Sequence, residues 1–186
     1  TLFFALALVL AALVLWNLAG YPLFVVLLAA LRRTFADRRD RSVSRVSVLV
    51  AAHDEEAVIG ERVRNLREQV TPFPVEIIVV ADGCTDATVE RAREAGATVI
   101  EQPRSGKVAA LHEAVRHATG DVLVLTDANT RFTPGAIAAL AQPLSDARVG
   151  ITAGDLRYEN ACDTASSAGE NAYWTYETRI KRAASR

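Results

Sequence analysis

The chain has 186 residues, 51% of them hydrophobic, with 21 Lys and Arg residues against 22 Asp and Glu and a formal net charge of −1. This length predicts one globular domain with an additional segment. A nucleic-acid-binding protein would need a basic patch within its folded part, and the sequence has none there, which excludes nucleic acid as a partner. Because the chain starts at Thr1 and lacks methionine, we expect it to belong to a longer protein.

The first predicted element is an apolar helix. Residues 2–31 carry no charge, and this run is longer than the ~20 apolar residues that span a bilayer. Asn17, Gly20 and Pro22 interrupt it, which membrane helices tolerate when neighbouring groups satisfy the freed backbone. A signal peptide, the alternative, would have a charged start, a shorter apolar core and a small-residue cleavage site. Residues 1–33 are therefore predicted to form a transmembrane anchor.

A basic linker, residues 34–45, follows the anchor. The arginines that come after the span are Arg32, Arg33, Arg38, Arg39, Arg41 and Arg45. The positive-inside rule then predicts a single-pass protein of the cell inner membrane, with everything after the span in the cytoplasm. In that compartment Cys84 and Cys162 are expected to be reduced thiols.

From residue 46 onward, short apolar runs alternate with helical periods, and residues 46–186 are predicted to form one domain. Strands are predicted at 46–52, 75–81, 97–102, 121–126 and 148–154. A helix is predicted at 55–70, with Asp54 as its cap, and a turn followed by a helix at 83–96. Further helices are predicted at 105–118, 134–144 and 170–186, with a polar loop at 160–169. This alternation predicts an α/β fold with a mainly parallel sheet and helices on both faces.

Acidic and polar residues follow three of these strands, at the edge where such sheets bind ligands. They are His53, Asp54 and Glu55; Asp82 and Gly83; and Asp127 and Asn129. Carboxylates that converge in one cleft repel one another, which indicates a cation or hydrogen-bond donors from a ligand. The alternative is that each acid caps the next helix, as for Asp54 and Asp86. For Asp54 alone we favour the cap; for the three strand ends together we favour a binding site.

Two phosphate-binding motifs are absent. In "PRSGKV", a P-loop would need glycine where Glu101 stands and Ser or Thr where Val108 stands. No Gly-x-Gly-x-x-Gly follows a strand. Lys107 nevertheless begins a predicted helix, where free amides and a lysine favour an anion, although an isolated Gly-Lys is more often a solvated surface pair.

Together these segments resemble the nucleotide-sugar glycosyltransferases of the GT-A fold, in the branch that contains cellulose and hyaluronan synthases. "VSVLVAAHDEEAVIGERVRNL" is similar to the family's opening, and "IIVVADGCTDATVERA" to its Asp-Gly-Ser-x-Asp segment. "RSGKVAALHEAVRHATGDVLVLTDANTRFTPGAI" is similar to its Gly-Lys helix and its Asp-x-Asp strand end. The four motifs occur in the family's order and spacing.

The resemblance implies a role for each matching residue. Ala52, Asp54 and Glu55 would line the uridine and ribose pocket, and Asp82 would accept a hydrogen bond from uracil. Lys107 would lie near the nucleotide. Asp127 and Asn129 would hold Mg²⁺ or Mn²⁺ against the diphosphate. This sequence departs from the family pattern at Asn129, a neutral ligand, at Cys84, where the family has serine, and at Ala52 and His53.

The implied reaction is inverting transfer of a sugar from a nucleotide diphosphate donor, UDP-linked, to a saccharide or lipid acceptor hydroxyl, in polysaccharide or glycolipid synthesis. The family's catalytic base lies in a Thr-Glu-Asp or Glu-Asp-Asp motif, followed by Gln-x-x-Arg-Trp; neither occurs here. Glu170 and Glu177 fit surface or packing positions better than a catalytic position, so neither is assigned as the base. We expect the general base downstream of Arg186, and this chain by itself is expected to be inactive.

Two alternatives to this transferase interpretation stay open. The first is a non-catalytic, membrane-anchored nucleotide-sugar binding protein, in which Asn129 marks a lost metal site. The second is a sugar-phosphate nucleotidyltransferase, which would need a glycine-rich, basic loop where "AAHDEE" supplies acids.

Overall fold

The computed structural model describes residues 2–32, 41–156, 178 and 180, and the chain divides into two compact units. One unit, residues 1–37 with 155–186, contains helix α1 (Leu2–Leu15), a π-helical turn (Trp16–Gly20) and helix α2 (Tyr21–Arg32). Over Phe3–Val25 this helical segment has a mean hydropathy of 2.3 and is long and apolar enough to cross a membrane. A signal sequence near an N-terminus satisfies the same criterion.

The other unit, residues 38–154, is the α/β domain. Its strands are β1 (Val46–Ala52), β2 (Val75–Asp82), β3 (Thr98–Gln102) and β4 (Val122–Asp127). Its helices are α3 (Ile59–Arg67), α4 (Thr88–Glu94), α5 (Lys107–His117) and α6 (Ala136–Ala141), and a 3₁₀ turn (Gln142–Ser145) follows α6.

The four strands form a parallel sheet in the order β3-β2-β1-β4, which confirms the predicted fold class. In the register of β1, Val46 lies between Val75 of β2 and Val122 of β4, and Ala51 pairs with Asp127. The central strands are apolar along nearly their whole length because both faces of a parallel sheet are covered by helices.

Each face of the sheet has its own apolar layer. Helices α3, α4 and α6 cover one face, where the buried side chains include Val48, Val50, Ile59, Val63, Ala92 and Ile137. Helix α5 covers the other, with Leu49, Ile78, Val80, Ala110 and Ala114. The helices on both faces leave the carboxyl ends of the strands as the open edge of the domain.

The predicted fifth strand is wrong. Residues 149–154 have no strand structure, and Ile151, the large apolar residue of that segment, is 88% exposed. Gly150 and Gly154 flank it, and glycine lacks a side chain to pack in a sheet. Thr152 instead donates its hydroxyl to the carbonyl of Leu140 at 2.8 Å, so this segment runs along α6.

All four helices predicted within the described part of this domain are shorter than expected, and those within 83–96 and 105–118 span Thr88–Glu94 and Lys107–His117. The helix predicted at 55–70 spans Ile59–Arg67, and the one predicted at 134–144 ends at Ala141, where the 3₁₀ turn begins. Pro143 lacks the amide hydrogen that would continue the α-helical bonding. The predicted loop 160–169 and helix 170–186 lie outside the described residues, except that residues 178 and 180 are helical.

Candidate functional site

The strand order reverses direction at β1. From β1 the chain adds β2 and β3 on one side and then returns to add β4 on the other. Ligands of such sheets bind beyond the carboxyl ends of the strands at this switch point. The register places Ala51 of β1 directly beside Asp127 of β4, so the residues predicted to bind a ligand after these two strands share one edge.

Asp82, at the end of β2, is buried, with 3% of its surface exposed. Its Oδ1 accepts hydrogen bonds from Gln102 Nε2 (2.9 Å), from the amide of Ser105 (2.8 Å) and from the Ser105 hydroxyl (2.9 Å), and Oδ2 accepts one from the amide of Gly106 (2.8 Å). The bond from Gln102 and those from Ser105 and Gly106 hold the pKa of Asp82 well below its usual range. Asp82 therefore anchors the loop that leads from β3 into α5.

Gly83 allows this loop to approach closely. Its φ is +66°, and a Cβ at this position would lie 2.8 Å from both the backbone nitrogen and the Cβ of Arg104. Its amide donates to the carbonyl of Gln102 at 2.8 Å. A side chain here would push the loop away from Asp82, which explains the Asp-Gly pair in terms of backbone space.

Lys107 and Asp127 form an ion pair across the edge. Lys107 Nζ lies 2.5 Å from Asp127 Oδ1, and the side chains are 61% and 53% exposed. Lys107 is the first residue of α5, directly after the loop that Asp82 anchors. Both residues are predicted site residues, but their contact does not follow from the sequence, because 20 residues separate them.

Asn129 is exposed in the turn that follows β4, two residues beyond Asp127. A carboxylate and an amide oxygen are hard ligands of the kind that Mg²⁺ and Mn²⁺ prefer. The ammonium group of Lys107 at Asp127 shows that this carboxylate is open to a cation. The residues at this strand end therefore fit a hard divalent ion.

Asp54 does not cap α3, contrary to the prediction. Helix α3 begins five residues later, and its N-cap Val58 makes no side-chain capping bond. Among the described residues, Asp54 is the one non-glycine with a positive φ, +51°. Its Oδ1 accepts a hydrogen bond from the amide of Thr85 at 2.7 Å. Asp54 therefore joins the end of β1 to the loop after β2.

Other residues just after β1 also contact the end of β2 or the segment that follows it. The amide of Glu55 donates to Thr88 Oγ1 at 2.8 Å, so Glu55 also lies against the segment after β2. Asp86 accepts a hydrogen bond from the amide of Thr88, the first residue of α4, at 3.0 Å, which is the local helix-start role considered for it. His53 Nδ1 lies 2.8 Å from the carbonyl oxygen of Asp82, and Cys84 Sγ lies 3.5 Å from that of Ala52.

Arg62 is a residue of this region that the sequence analysis missed. Its side chain is buried, donates to Asn65 Oδ1 (2.9 Å) and Thr126 Oγ1 (2.6 Å), and stacks 4.3 Å from the ring centre of Phe132. Burial lowers the pKa of Arg62 to about 10, and the charge of Asp127 acts in the opposite direction. Arg62 lies on the apolar side of α3 together with Ile59, Val63 and Leu66. A charged residue among these apolar positions is the sequence feature that could have indicated its burial.

Asn65 fixes the turn that carries Asn129. Its Oδ1 accepts from the amide of Phe132 at 2.8 Å, and its Nδ2 donates to the carbonyl of Phe132 at 2.9 Å. A cleft of about 220 Å³ between α3 and this turn is lined by residues that include Arg62, Asn65, Asn129 and Thr130. Through Arg62 and Asn65, α3 thus contacts Thr126 and Phe132, which lie on either side of Asp127 and Asn129 in the chain.

The position of the catalytic base stays a prediction. The acids Glu170 and Glu177 lie outside the described residues. The described part of the site therefore consists of the strand ends and the loops that hold them.

The parallel sheet, its helices and the polar strand ends define a domain of the GT-A type. The family model described as "Glycosyl transferase family 2" matches residues 47–185. The chain belongs to glycosyl transferase family 2.

Several individual proteins are similar to this chain. The 4,4'-diaponeurosporenoate glycosyltransferase of Staphylococcus aureus (strain USA300) is 32% identical over 93 residues, 47% of this chain and 24% of that protein. The mannosyltransferase PcManGT from Pyrobaculum calidifontis, solved with GDP-Man and Mn²⁺, is 27% identical with a TM-score of 0.53, over 74% of this chain and 41% of that one. Glucosyl-3-phosphoglycerate synthase from Mycobacterium tuberculosis, solved with Mn²⁺, UDP and glucosyl-3-phosphoglycerate, is 30% identical with a TM-score of 0.48, over 54% and 39%. This chain therefore spans less than half the length of each of these relatives.

Proposed function

We propose that this chain is the donor-binding part of a membrane-anchored, inverting glycosyltransferase that takes a sugar from a UDP-linked donor. The acceptor is the hydroxyl group of a saccharide or a lipid, in polysaccharide or glycolipid synthesis. The contact between Lys107 and Asp127 carries the proposal. It joins, at the switch point of the sheet, a carboxylate suited to a metal ion and a lysine suited to a phosphate.

The nucleotide lies, in this proposal, between the ends of β1 and β2. Ala52, Asp54 and Glu55 line its uridine and ribose side, where Asp54 and Glu55 are held against the loop after β2. Asp82 was expected to accept a hydrogen bond from uracil, but four protein hydrogen bonds occupy its carboxylate. We therefore propose that Asp82 acts on the nucleotide through the loop it anchors, and bonds uracil directly only if that loop moves.

The diphosphate lies toward β4. Asp127 and Asn129 would hold Mg²⁺ or Mn²⁺ there, and when bound the ion stabilises the negative charge of the departing nucleotide diphosphate. The ammonium of Lys107, paired with Asp127 in this structure, would donate to the phosphate oxygens in the complex. Asn65 and Arg62 keep the strand end and its turn in place from the side of α3. No residue of this chain is proposed as the catalytic base.

Titration of the full chain in detergent tests the donor site. UDP, GDP and uridine are each titrated calorimetrically with Mn²⁺ and with a chelator. UDP should bind at least about tenfold more tightly with Mn²⁺, a difference of about 1.4 kcal/mol, whereas uridine should be indifferent to the ion. GDP is included because PcManGT was solved with GDP-Man. Preference for GDP would contradict the uridine assignment, and binding of neither nucleotide would contradict the donor site.

The orientation in the membrane is tested separately. The apolar segment Phe3–Val25 and the arginines after it support an anchored protein with a cytoplasmic domain. A cytoplasmic reporter fused after Arg45 in a bacterium should be active, and alkaline phosphatase at the same point should be inactive. The reverse pattern would contradict both the topology and the supply of donor, because nucleotide sugars are made in the cytoplasm.

A non-catalytic nucleotide-sugar binding protein is the second candidate, and Asn129 is the observation that favours it. An amide oxygen carries no charge, so it binds a divalent ion more weakly than a carboxylate would. Sugar transfer by a protein that contains this chain would exclude this candidate.

A further inference from the structure

Three side chains that can bind a transition metal meet at the ends of β1 and β2. His53, Asp54 and Cys84 each offer one ligand atom, and these atoms all lie within 4.8 Å of one another. We propose that they form a binding site for a thiophilic divalent ion such as Zn²⁺, separate from the site at Asp127. The proposed function gives no role to His53 or to Cys84, whereas it places Asp54 at the uridine side, so the ion and the nucleotide would share that carboxylate.

The hydrogen bond of His53 leaves the correct nitrogen free for a metal. His53 Nδ1 lies 2.8 Å from the carbonyl oxygen of Asp82. A carbonyl only accepts, so Nδ1 carries the proton and Nε2 of the neutral ring keeps its lone pair. Metal-bound histidines commonly donate their other N–H to a backbone carbonyl in this way, which fixes the tautomer and the ring orientation.

The carboxylate of Asp54 is held on one side and open on the other. Oδ1 accepts from the amide of Thr85 at 2.7 Å, whereas Oδ2 lies 3.5 Å from His53 Nε2. The backbone φ of +51° at Asp54 is uncommon for a residue with a side chain. The His53 and Asp54 side chains are 38% and 39% exposed, so an ion can reach them from solvent.

Cys84 supplies the ligand that selects the metal. Its half-buried thiol lies 3.5 Å from the carbonyl of Ala52, at the end of β1. Thiolate and imidazole favour Zn²⁺ over Mg²⁺, whereas the oxygen ligands Asp127 and Asn129 favour hard ions. A thiolate and a carboxylate together balance the charge of a divalent ion, and three protein ligands leave the fourth tetrahedral position open to water.

Cobalt binding tests the proposal in the full chain in detergent, with Cys162→Ser as the background so that Cys84 is the one remaining thiol. Co²⁺ added without nucleotide should give a thiolate-to-cobalt charge-transfer band, which reports the site at Cys84 and not the oxygen ligands at Asp127. Zn²⁺ should remove the band and Mg²⁺ should not. Because no nucleotide is present, the result is independent of the proposed donor site.

Variants decide which side chains are responsible. Cys84→Ser should abolish the band, and His53→Gln should weaken Co²⁺ binding at least about tenfold, since it removes a ligand. His117→Gln is the matched control, because His117 is an exposed histidine paired with Glu113 on α5, and it should leave binding unchanged. Circular dichroism confirms that each variant is folded. Absence of the band, or equal Co²⁺ affinity in His53→Gln and His117→Gln, would overturn the proposal.

Discussion

Asp82 and Asp127 end two strands of the same sheet, and each follows an apolar run, yet their surroundings are opposite. Asp82 is buried under the loop that leads to α5, while Asp127 is half exposed and paired with Lys107. The strand order explains the difference. β2 lies between β1 and β3, and Asp82 pairs in register with Gln102 at the end of β3, whereas β4 has β1 as its neighbour in the described sheet.

This contrast separates two roles that sequence alone gives to both residues. An acid at a strand end is available to a ligand when no loop crosses it, and it becomes part of the framework when a loop does. Asp82 thus belongs to the framework, and Asp127 is the residue open to a ligand. Variants of Asp82, Asp127 and Asn129 test this division.

Loss of Asp82 should reduce stability most. Asp82→Ala leaves the donors of Gln102, Ser105 and Gly106 without their acceptor, and we expect the free energy of unfolding to fall by about 2 to 4 kcal/mol. Asp127→Ala, the matched control, removes one exposed ion pair and should cost less than about 1 kcal/mol. Urea denaturation followed by circular dichroism measures both. Equal losses would contradict the division between the two aspartates.

Loss of Asp127 should affect ligand binding instead. Asp127→Ala should remove the Mn²⁺-dependent part of UDP binding, at least about tenfold in affinity, and leave uridine binding intact, because the phosphate end of the ligand alone loses its partner. Calorimetric titration with and without Mn²⁺ measures this. UDP binding that is independent of metal and unchanged in Asp127→Ala would exclude the metal site.

The pH dependence of stability should separate the two residues as well. Because the folded-state pKa of Asp82 is lowered, its carboxylate contributes stability that is complete above the unfolded-state pKa of about 3.9 and is lost as the pH falls below it. Asp82→Asn should therefore flatten the acid limb of the stability curve by up to about 1.4 kcal/mol per pH unit. An acid limb with the same slope in Asp82→Asn and the parent chain would show that Asp82 does not titrate in this way.

The smallest effect concerns Asn129. Asn129→Asp adds a charged oxygen ligand beside Asp127 and should raise the affinity for Mn²⁺ about three- to tenfold. Direct Mn²⁺ titration, monitored by the paramagnetic resonance of the free ion, gives the affinity. Weaker binding in Asn129→Asp would mean that repulsion from Asp127 exceeds the gain in ligand strength.

The sequence predicted the sheet well and the contacts at its edge less well. The apolar runs at 46–52 and 75–81 predicted the central strands because both of their faces are buried. The run at 148–154 has fewer apolar residues and two glycines, and among the described residues it pairs with no strand. Local pattern specifies an element, whereas its pairing depends on what lies beside it in space.

The site shows the same limit. The strand ends predicted which residues converge, but the bond of Asp54 to Thr85 and the pairing of Lys107 with Asp127 join segments 31 and 20 residues apart. Neither contact can be predicted from hydrophobic periodicity, because both depend on the path of a loop. Arg62 shows a different difficulty: its charge fits a surface position, and its burial follows from its place in the apolar stripe of α3.

Three basic residues, Arg62, Arg104 and Lys107, counter the charge of the carboxylates at the strand ends. The converging carboxylates suggested a site with excess negative charge, but the charge of Arg62 interacts with that of Asp127, Arg104 lies 3.9 Å from Asp82, and Lys107 pairs with Asp127. The protein supplies its own counter-ions. Under the proposed function, donor binding would therefore be an exchange of partners: Asp127 would hold the metal, and the Lys107 ammonium now paired with it would donate to phosphate.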